Sequence, residues 1–360
     1  LSIGGWMKLH GVVDLTGTPY PSALSPPSIP VGDVERDPQF SMDMYQSRIR
    51  LDSRYIPVGF PELRAYVEMD FFGGGGGSLR LRHLFLDIGN DGSGASALVG
   101  QNWSVFSNPE AWPNMTDFDG PPTGLWKRPA QIRFQWEGEG GHRFRVSLET
   151  PTSDFGRGEE SDTLVLAANQ NVPEVAASYR KTWERGHLKV AGLYRQVRYN
   201  SLITEGFDYF SGWGLVASGV IRATAGGDLI TYQLMTGAGV AGYMVGYSGL
   251  GLDAIPNLDG GLTAAPTYGG YLGYQHFWAS RWSSTAVAGY ARIDNDSLES
   301  LGDLSETAYG SVNLYWHPIP RLNAGLEVLY GFNREPTAAE PIDGETGEGI
   351  RFQFVLEYHF

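Results

Sequence analysis

The chain has 360 residues, a formal net charge of −14, 49 glycines, 13% aromatic residues and no cysteine. The acidic balance argues against a nucleic-acid partner, because phosphate binding requires a basic surface, and the lack of cysteine excludes a disulfide framework or a thiolate metal site. No apolar run reaches the ~18 residues of a membrane-spanning helix, although a β-barrel would show only alternating hydrophobicity.

Apolar and polar residues alternate from the first part of the chain onward. In the segment 47–55, Ile49 and Leu51 alternate with Arg48 and Arg50. A period of two predicts β-strands that have one apolar and one polar face. The same pattern recurs in the segments 62–71, 79–85, 131–136, 143–148 and 349–360.

The order of the connections predicts the number of strands. Short turns fall near 57–61, 89–95, 138–141, 184–186, 225–228, 279–281 and 317–320, and they are rich in glycine, proline and Asn/Asp. Longer connections fall near 17–38, 73–77, 104–127, 151–172, 200–209, 247–267, 295–304 and 334–348. Alternating short turns and long loops are typical of outer-membrane barrels. The sequence therefore predicts an all-β protein, a single 16-stranded antiparallel transmembrane barrel over residues 1–360.

The last strand carries the most specific local signal. Phe354, Leu356, Tyr358 and Phe360 lie on one face of this strand. This ending resembles the C-terminal signature of barrels that are inserted into bacterial outer membranes. Leu1 opens directly on a strand-like pattern, so we expect a mature chain from which the export signal has been removed.

Tryptophans near the ends of strands are expected at the lipid interface, which suits an amphipathic ring. The six that we place there are Trp6, Trp183, Trp213, Trp278, Trp282 and Trp316.

Arginines concentrate on the polar face of the first eight predicted strands. They are Arg48, Arg50, Arg54, Arg64, Arg80, Arg82, Arg133, Arg143, Arg145 and Arg180. Fewer acids share this face, and most other acids lie in loops. We therefore expect one basic wall in the lumen, since Arg grips carboxylates well. As pore-lining basic residues we single out Arg48, Arg50, Arg80, Arg82, Arg128 and Arg133.

The third long loop, residues 104–127, contains four prolines, several aromatic residues and three acids, Glu110, Asp117 and Asp119. Such a composition favours an ordered loop. Folded into the barrel, the loop would set its acids opposite the arginines and form a constriction. The alternative is an external loop with ordinary turn chemistry.

Several motifs resemble the DcaP-like trimeric outer-membrane porins. They are the segments 46–51, 79–84, 100–104, 117–121 and 128–133, of which Gly100-Gln101-Asn102-Trp103-Ser104 is the strongest match. The resemblance implies a homotrimer in the bacterial outer membrane, an inward-folded third loop and a preference for small anions such as dicarboxylates. Members of the family can carry an N-terminal helical extension, which we do not expect here.

Other classes of function have weaker support. The seven histidines are scattered singly, which argues against both a catalytic triad and a zinc site. The acids at 294–296 and near 343–345 could bind calcium, but solvated loops are the simpler interpretation. We expect a diffusion porin without cofactor or enzymatic activity. The alternatives are a structural or adhesive barrel and, less favoured, a barrel enzyme.

Overall fold

The computed structural model describes residues 1–89, 94–155, 165–257, 261–294, 305–335 and 344–360. Some sequence predictions fall outside the described residues. These are most of the short turn at 89–95, the loop at 295–304, most of the loop at 334–348, and the calcium candidates Asn295, Asp296 and Asp343.

Nearly all the regular structure in the described residues is β-strand. The strands are β1 (Ser2–Asp14), β2 (Gln39–Asp43), β3 (Arg48–Tyr55), β4 (Glu62–Gly73), β5 (Ser78–Gly89), β6 (Ala95–Gln101), β7 (Ala130–Gly138), β8 (His142–Glu149), β9 (Val165–Ala167), β10 (Glu174–Trp183), β11 (Gly186–Ser201), β12 (Gly206–Arg222), β13 (Leu229–Ala238), β14 (Ala254–Pro256), β15 (Leu262–Ala264), β16 (Pro266–Ala279), β17 (Trp282–Ile293), β18 (Ser305–Ile319), β19 (Leu322–Glu335) and β20 (Glu345–His359). No helix in the described part of the chain is long and apolar enough to cross a membrane.

Sixteen of these strands form the wall of one closed barrel. Consecutive wall strands pair antiparallel, and β1 closes the barrel against β20. The short segments β2 and β9 extend wall positions: β2 pairs with β1 beyond the end of β3, and β9 pairs with β11 beyond the end of β10. The hairpin of β14 and β15 lies in a loop and forms a separate sheet. The predicted 16-stranded antiparallel barrel is confirmed.

Four of the long connections are L1 (15–38), L3 (102–129), L4 (150–173) and L6 (239–265), numbered by their order among the long connections.

Each wall strand has an apolar and a polar face. On β7, Ile132, Phe134 and Trp136 are about half exposed, whereas Arg133 between them is buried. The exposed apolar side chains face outward, where lipid replaces the packed core of a soluble protein. The opposite faces, which carry the buried polar residues, enclose the interior.

The tryptophans follow this division with one correction. Trp183, Trp213, Trp278, Trp282 and Trp316 are exposed, as expected. Trp6 is not at the lipid interface, because it shares the inward face of β1 with the buried Lys8 and His10. The guanidinium of Arg48 lies 4.5 Å from the centre of its ring.

Candidate functional site

The first part of L3 is held inside the barrel by charged side chains of the wall. The ammonium of Lys189 on β11 donates a hydrogen bond of 2.8 Å to the carbonyl of Val105, and another to the carbonyl of Ser107. The amide of Val105 donates to the Glu149 carboxylate on β8 at 2.9 Å. Lys189 and Glu149 are both buried, so the loop backbone supplies the hydrogen-bond partners that their polar groups require.

The middle of L3 is bound to the opposite part of the wall. Tyr271 on β16 donates to the carbonyl of Ala111 at 3.1 Å. The amide of Thr116 donates to the Glu327 carboxylate on β19 at 2.6 Å, and Lys8 on β1 donates to the carbonyl of Thr116 at 3.3 Å. L3 therefore runs across the interior from β8 and β11 to β19 and β1.

Two other loops pack on L3. The amide of Leu24 in L1 donates to the Asp117 carboxylate at 3.2 Å, and the amide of Val245 in L6 donates to the carbonyl of Gly124 at 2.7 Å. These contacts put L1 and L6 on the side of L3 that faces the second half of the barrel wall. The inward faces of β3 to β8 lie on the other side.

A buried arginine holds each of these outer loops. Arg351 on β20 pairs with Asp14 at 2.6 Å and donates to the carbonyl of Ala23 in L1 at 2.5 Å. Arg195 on β11 pairs with Asp253 in L6 at 2.5 Å, and it also donates to the carbonyl of Thr152 in L4. Both arginines are fully buried.

Three of the predicted basic residues form one ion-pair cluster with two acids. Arg82 is fully buried between Glu68, at 2.8 Å, and Asp70, at 3.0 Å. Arg80 also pairs with Asp70, at 2.6 Å, and Arg48 lies 3.5 Å from Glu68. Three guanidinium groups thus share two carboxylates on β3, β4 and β5, which leaves a local excess of positive charge.

The other three predicted basic residues differ in their surroundings. Arg128, in L3, lies with its guanidinium 4.7 Å from the centre of the Trp103 ring. Burial and the neighbouring Arg82 and Arg80 lower its pKa. Arg50 is exposed and forms no salt bridge with any described residue. Arg133 is buried beside a second basic group.

That second group surrounds a cavity of about 270 Å³ between L3 and the wall. Its charged lining residues are Arg64, Arg133, Arg143, Arg145, Arg180 and Lys189, with the acids Asp87 and Glu110. Arg64 also pairs with Asp52 at 2.8 Å and Arg143 with Glu137 at 2.6 Å, so the basic side chains here outnumber the acids and leave a moderate excess of positive charge. The alternation in the sequence predicts one shared face for the five arginines of this group, whereas Lys189 was not predicted.

The three acids of L3 occupy different environments. Glu110 pairs with Arg180 at 2.5 Å; burial opposes ionisation, but Arg180 outweighs it and lowers the pKa of Glu110. Asp119 is half-buried, and burial together with the negative charge of Asp117 raises its pKa to about 7, against the pull of Arg80 and Arg128.

Asp117 points away from the arginine wall. Its carboxylate accepts hydrogen bonds from the hydroxyl of Tyr309 on β18 at 3.1 Å and from the amide of Gly120 at 3.0 Å, in addition to the bond from L1. Asp117 is 4% exposed, and its hydrogen bonds hold L3 against β18 and L1. The structure therefore brings Glu110 and Asp119 near the arginines, and it does not bring Asp117 there.

Two further groups were not predicted. Trp103, Trp112 and Trp126 form a chain of edge-to-face contacts within L3, with ring centres 5.3 and 4.9 Å apart. Ser283, His317 and Asn323 form a hydrogen-bonded row on β17 to β19, with distances of 3.2 Å from Ser283 Oγ to His317 Nε2 and 2.8 Å from His317 Nδ1 to Asn323 Oδ1. Neither group could be found by spacing, because its members meet only across strands or through the folding of L3.

A closed barrel of 16 antiparallel strands, with an apolar outer belt and a long loop bound inside, defines a porin-type protein. The chain belongs to the DcaP outer membrane protein family, whose model matches residues 4–345. It is therefore a protein of the bacterial outer membrane with a porin-type fold.

Solved structures agree on the fold. The outer membrane channel DcaP of Acinetobacter baumannii is similar with a TM-score of 0.81 and 19% identity, over 100% of this chain and 96% of that chain. The anion-selective porin from Comamonas acidovorans is similar with a TM-score of 0.65 and 11% identity, over 100% and 99% of the two chains. The trimer form of OmpT of Vibrio cholerae is similar with a TM-score of 0.60 and 11% identity, over 100% and 99%. No curated protein matches the chain in sequence.

Proposed function

We propose that this protein is a passive diffusion pore that favours small anions such as dicarboxylates. The observation that carries the proposal is the position of L3, which is bound to β1, β8, β11, β16 and β19 and lies beside the arginines of β3 to β8. A solute that passes between them meets a basic wall within a narrow aqueous path. Low-dielectric walls concentrate the field of such charges, so they govern which ions enter.

The proposed pore-lining residues are Arg48, Arg50, Arg80, Arg82, Arg128 and Arg133, and L3 is the proposed constriction. Of the loop acids, Glu110 is compensated by Arg180, and Asp117 is turned toward Tyr309. Asp119, with its pKa of about 7, carries only part of a negative charge at neutral pH. The acids of L3 therefore oppose the basic charge of the wall only weakly.

The acidic net charge of −14 does not contradict this proposal. Charges in the outer loops that lie beyond a Debye length of about 8 Å are screened at physiological salt. Charges inside the barrel are separated from a passing ion by little water and are screened less. The sign of the charge on the lumen wall then decides whether the pore favours anions or cations.

We also propose a homotrimer. The OmpT structure that shares this fold is a trimer form, and the outward faces of the wall carry the apolar side chains that subunit contacts in a membrane require. The mass of the protein measured in a mild detergent should equal that of three copies of the chain. A purely monomeric species after mild extraction would argue against the trimer.

An enzyme is the weaker alternative, and the row of Ser283, His317 and Asn323 is the observation that bears on it. The hydrogen bonds match those of a nucleophile, a base and an orienting group. Ser283, however, is 1% exposed, so a substrate carbonyl cannot reach its hydroxyl. A structural or adhesive barrel is also less favoured, since barrels of about 16 strands leave an aqueous channel. We propose that the protein is not an enzyme.

The test is the zero-current potential of reconstituted protein across a KCl gradient. We expect clear anion selectivity, and a lower chloride preference in the variant Arg133→Gln. The control is Arg185→Gln, which removes the same charge from an exposed residue in the turn between β10 and β11. Cation selectivity of the wild type would overturn the proposal, and equal effects of the two variants would show that charge at Arg133 does not set the selectivity.

A further inference from the structure

A groove of about 710 Å³ lies on the outer face of the barrel, across β7, β8, β10, β11 and β12. We call it the outer groove. The strand register places one outward residue from each of these strands in a single row: Phe134, Val146, Ala177, Gly192 and Leu215. Ala177 has only a methyl group and Gly192 has no side chain, so the row is lowest there. The larger apolar side chains of β7, β8 and β12 form the sides of the groove.

The end of the outer groove near the short turns carries three hydrogen-bonded side chains, His142, Tyr179 and Lys181. Tyr179 lines the groove, and Lys181 lies two residues further along the same face of β10, directly opposite His142 on β8. The ammonium of Lys181 lies 2.8 Å from Nε2 of His142 and 2.8 Å from the carbonyl oxygen of Gly140. Nδ1 of His142 lies 2.9 Å from the hydroxyl of Tyr179. All three side chains are partly exposed. Since short turns of outer-membrane barrels face the periplasm, they lie at the periplasmic boundary of the lipid.

These side chains retain two hydrogen-bond donors. An ammonium donates and cannot accept, so Nε2 of His142 accepts from Lys181, and the proton of the neutral ring is on Nδ1. That N–H donates to the hydroxyl oxygen of Tyr179, which leaves the O–H of Tyr179 free to donate elsewhere. Lys181 uses two of its three N–H groups, on His142 and Gly140. Neither the third N–H nor the O–H has an acceptor among the described residues.

A phosphate group is the acceptor that fits this pair of donors. The hydrogen bonds of Lys181 go only to neutral groups, so no carboxylate of the described residues balances its charge. The acids of the two adjacent turns, Glu139 and Glu184, are exposed and do not pair with it. Charge-assisted hydrogen bonds from an ammonium to a phosphate oxygen are stronger than those between neutral groups.

The distance to the floor of the groove suits a molecule that joins a phosphate to an acyl chain. Ala177 lies four residues from Lys181 along β10, or about 13 Å at about 3.3 Å per residue. The outward face between them contacts lipid, because it belongs to the apolar belt. A phospholipid combines the anion and the chain, whereas a free anion would leave the groove unused.

We propose that the outer groove binds a phospholipid from the periplasmic side of the membrane, with its phosphate at Lys181 and Tyr179 and one acyl chain over Ala177 and Gly192. The phosphate supplies the acceptor that the N–H and the O–H lack. The acyl chain fills the depression between the larger side chains and gains contacts on three sides.

The test compares two lipids with the same chains by native mass spectrometry in a mild detergent: dioleoylphosphatidylglycerol, and dioleoylglycerol, which lacks the phosphate. We expect the first to bind about tenfold more tightly, because one hydrogen bond to a charged group corresponds to at least that factor. Equal binding of the two lipids would overturn the inference. Inorganic phosphate should not displace the lipid, since it has no chain for the groove; displacement would identify a free-anion site and would also overturn it.

Variants of the donors locate the phosphate. Lys181→Met should weaken the binding of dioleoylphosphatidylglycerol about tenfold, and Tyr179→Phe, which removes only the hydroxyl, about two- to fivefold. Arg281→Met is the control, because it removes a charge from an exposed residue in the turn between β16 and β17. Unchanged binding in both Lys181→Met and Tyr179→Phe would contradict the proposed position of the phosphate.

A variant that fills the groove locates the acyl chain. A Cβ at Gly192 would meet Leu215 at 3.5 Å, an ordinary contact, so Gly192→Leu fits the fold while it occupies the floor of the groove. We expect weaker lipid binding in this variant. Gly310→Leu is the matched control, since Gly310 shares the outward face of β18 with the exposed Val312 and has open space at its Cβ position. Loss of the oligomer with unchanged lipid binding in Gly192→Leu would assign the groove to a second copy of the chain and overturn the inference.

Discussion

The side-chain nitrogen of Lys189 lies 2.8 Å from the carbonyl oxygen of Val105, so a buried lysine of the wall is bound to the backbone of the loop that crosses the barrel. A buried lysine is stable only when hydrogen-bond acceptors replace the water that it loses. Here the acceptors are the carbonyls of Val105 and Ser107, at the point where L3 enters the interior. The position of the loop and the charge of the wall therefore depend on each other.

Replacing this lysine should loosen L3. In Lys189→Met, the two carbonyls lose their donor, and each unsatisfied buried group costs about 1–3 kcal/mol. We expect larger current fluctuations and a change in mean conductance in single-channel recordings. Lys181→Met is the matched control, because Lys181 donates to Gly140 and His142 at the short turn between β7 and β8, away from L3. Quiet channels of wild-type conductance in Lys189→Met would show that this contact does not hold the loop.

The pH dependence of selectivity should reflect Asp119. Its pKa is raised to about 7, so the carboxyl group gains negative charge as the pH rises from about 6 to about 8. That charge opposes Arg80 and Arg128, and we expect the chloride preference to fall over this range. The zero-current potential in a KCl gradient measures it. In Asp119→Asn the preference should be nearly constant between these pH values, and a slope equal to that of the wild type would assign the titration to another group.

Removal of Arg351 should destabilise the barrel. The variant Arg351→Met leaves the carboxylate of Asp14 buried without its counter-ion, a change that typically costs about 3–5 kcal/mol. Unfolding in urea, followed by circular dichroism, should show this loss. Arg334→Met is the control, since Arg334 is 41% exposed and its pair with Glu306 at 3.0 Å belongs to a class worth about 0–1 kcal/mol. Similar midpoints for the two variants would contradict the assignment of Arg351 as a buried anchor.

The hydrogen-bonded row of Ser283, His317 and Asn323 should not catalyse hydrolysis. We expect no hydrolysis of short-chain nitrophenyl esters by the wild type above the rate in buffer and detergent, and Ser283→Ala should conduct like the wild type. Ester hydrolysis that is abolished in both Ser283→Ala and His317→Ala would revive the enzyme alternative.

The positions of the arginines show what can be predicted from the sequence alone. The arginines of β3 to β8 were assigned to one face because strand side chains alternate with a period of two, and this rule is local. The same rule, applied from Lys8 and His10, puts Trp6 inside the barrel; its position near the end of a strand is the weaker signal. No such rule predicts the directions of the Asp117 and Asp119 side chains, because L3 lacks a regular period.

The sequence by itself determined the 16-stranded barrel, since alternation within strands and the chemistry of turns depend on neighbouring residues. Only the tertiary structure decided which acids face the arginines and which rings meet them. Asp117 turns to Tyr309 while Asp119, two residues later, stays near Arg80, because contacts such as Thr116 with Glu327 join residues 211 positions apart. Side-chain directions in an irregular loop follow from such distant hydrogen bonds, and these exist only once the barrel has closed.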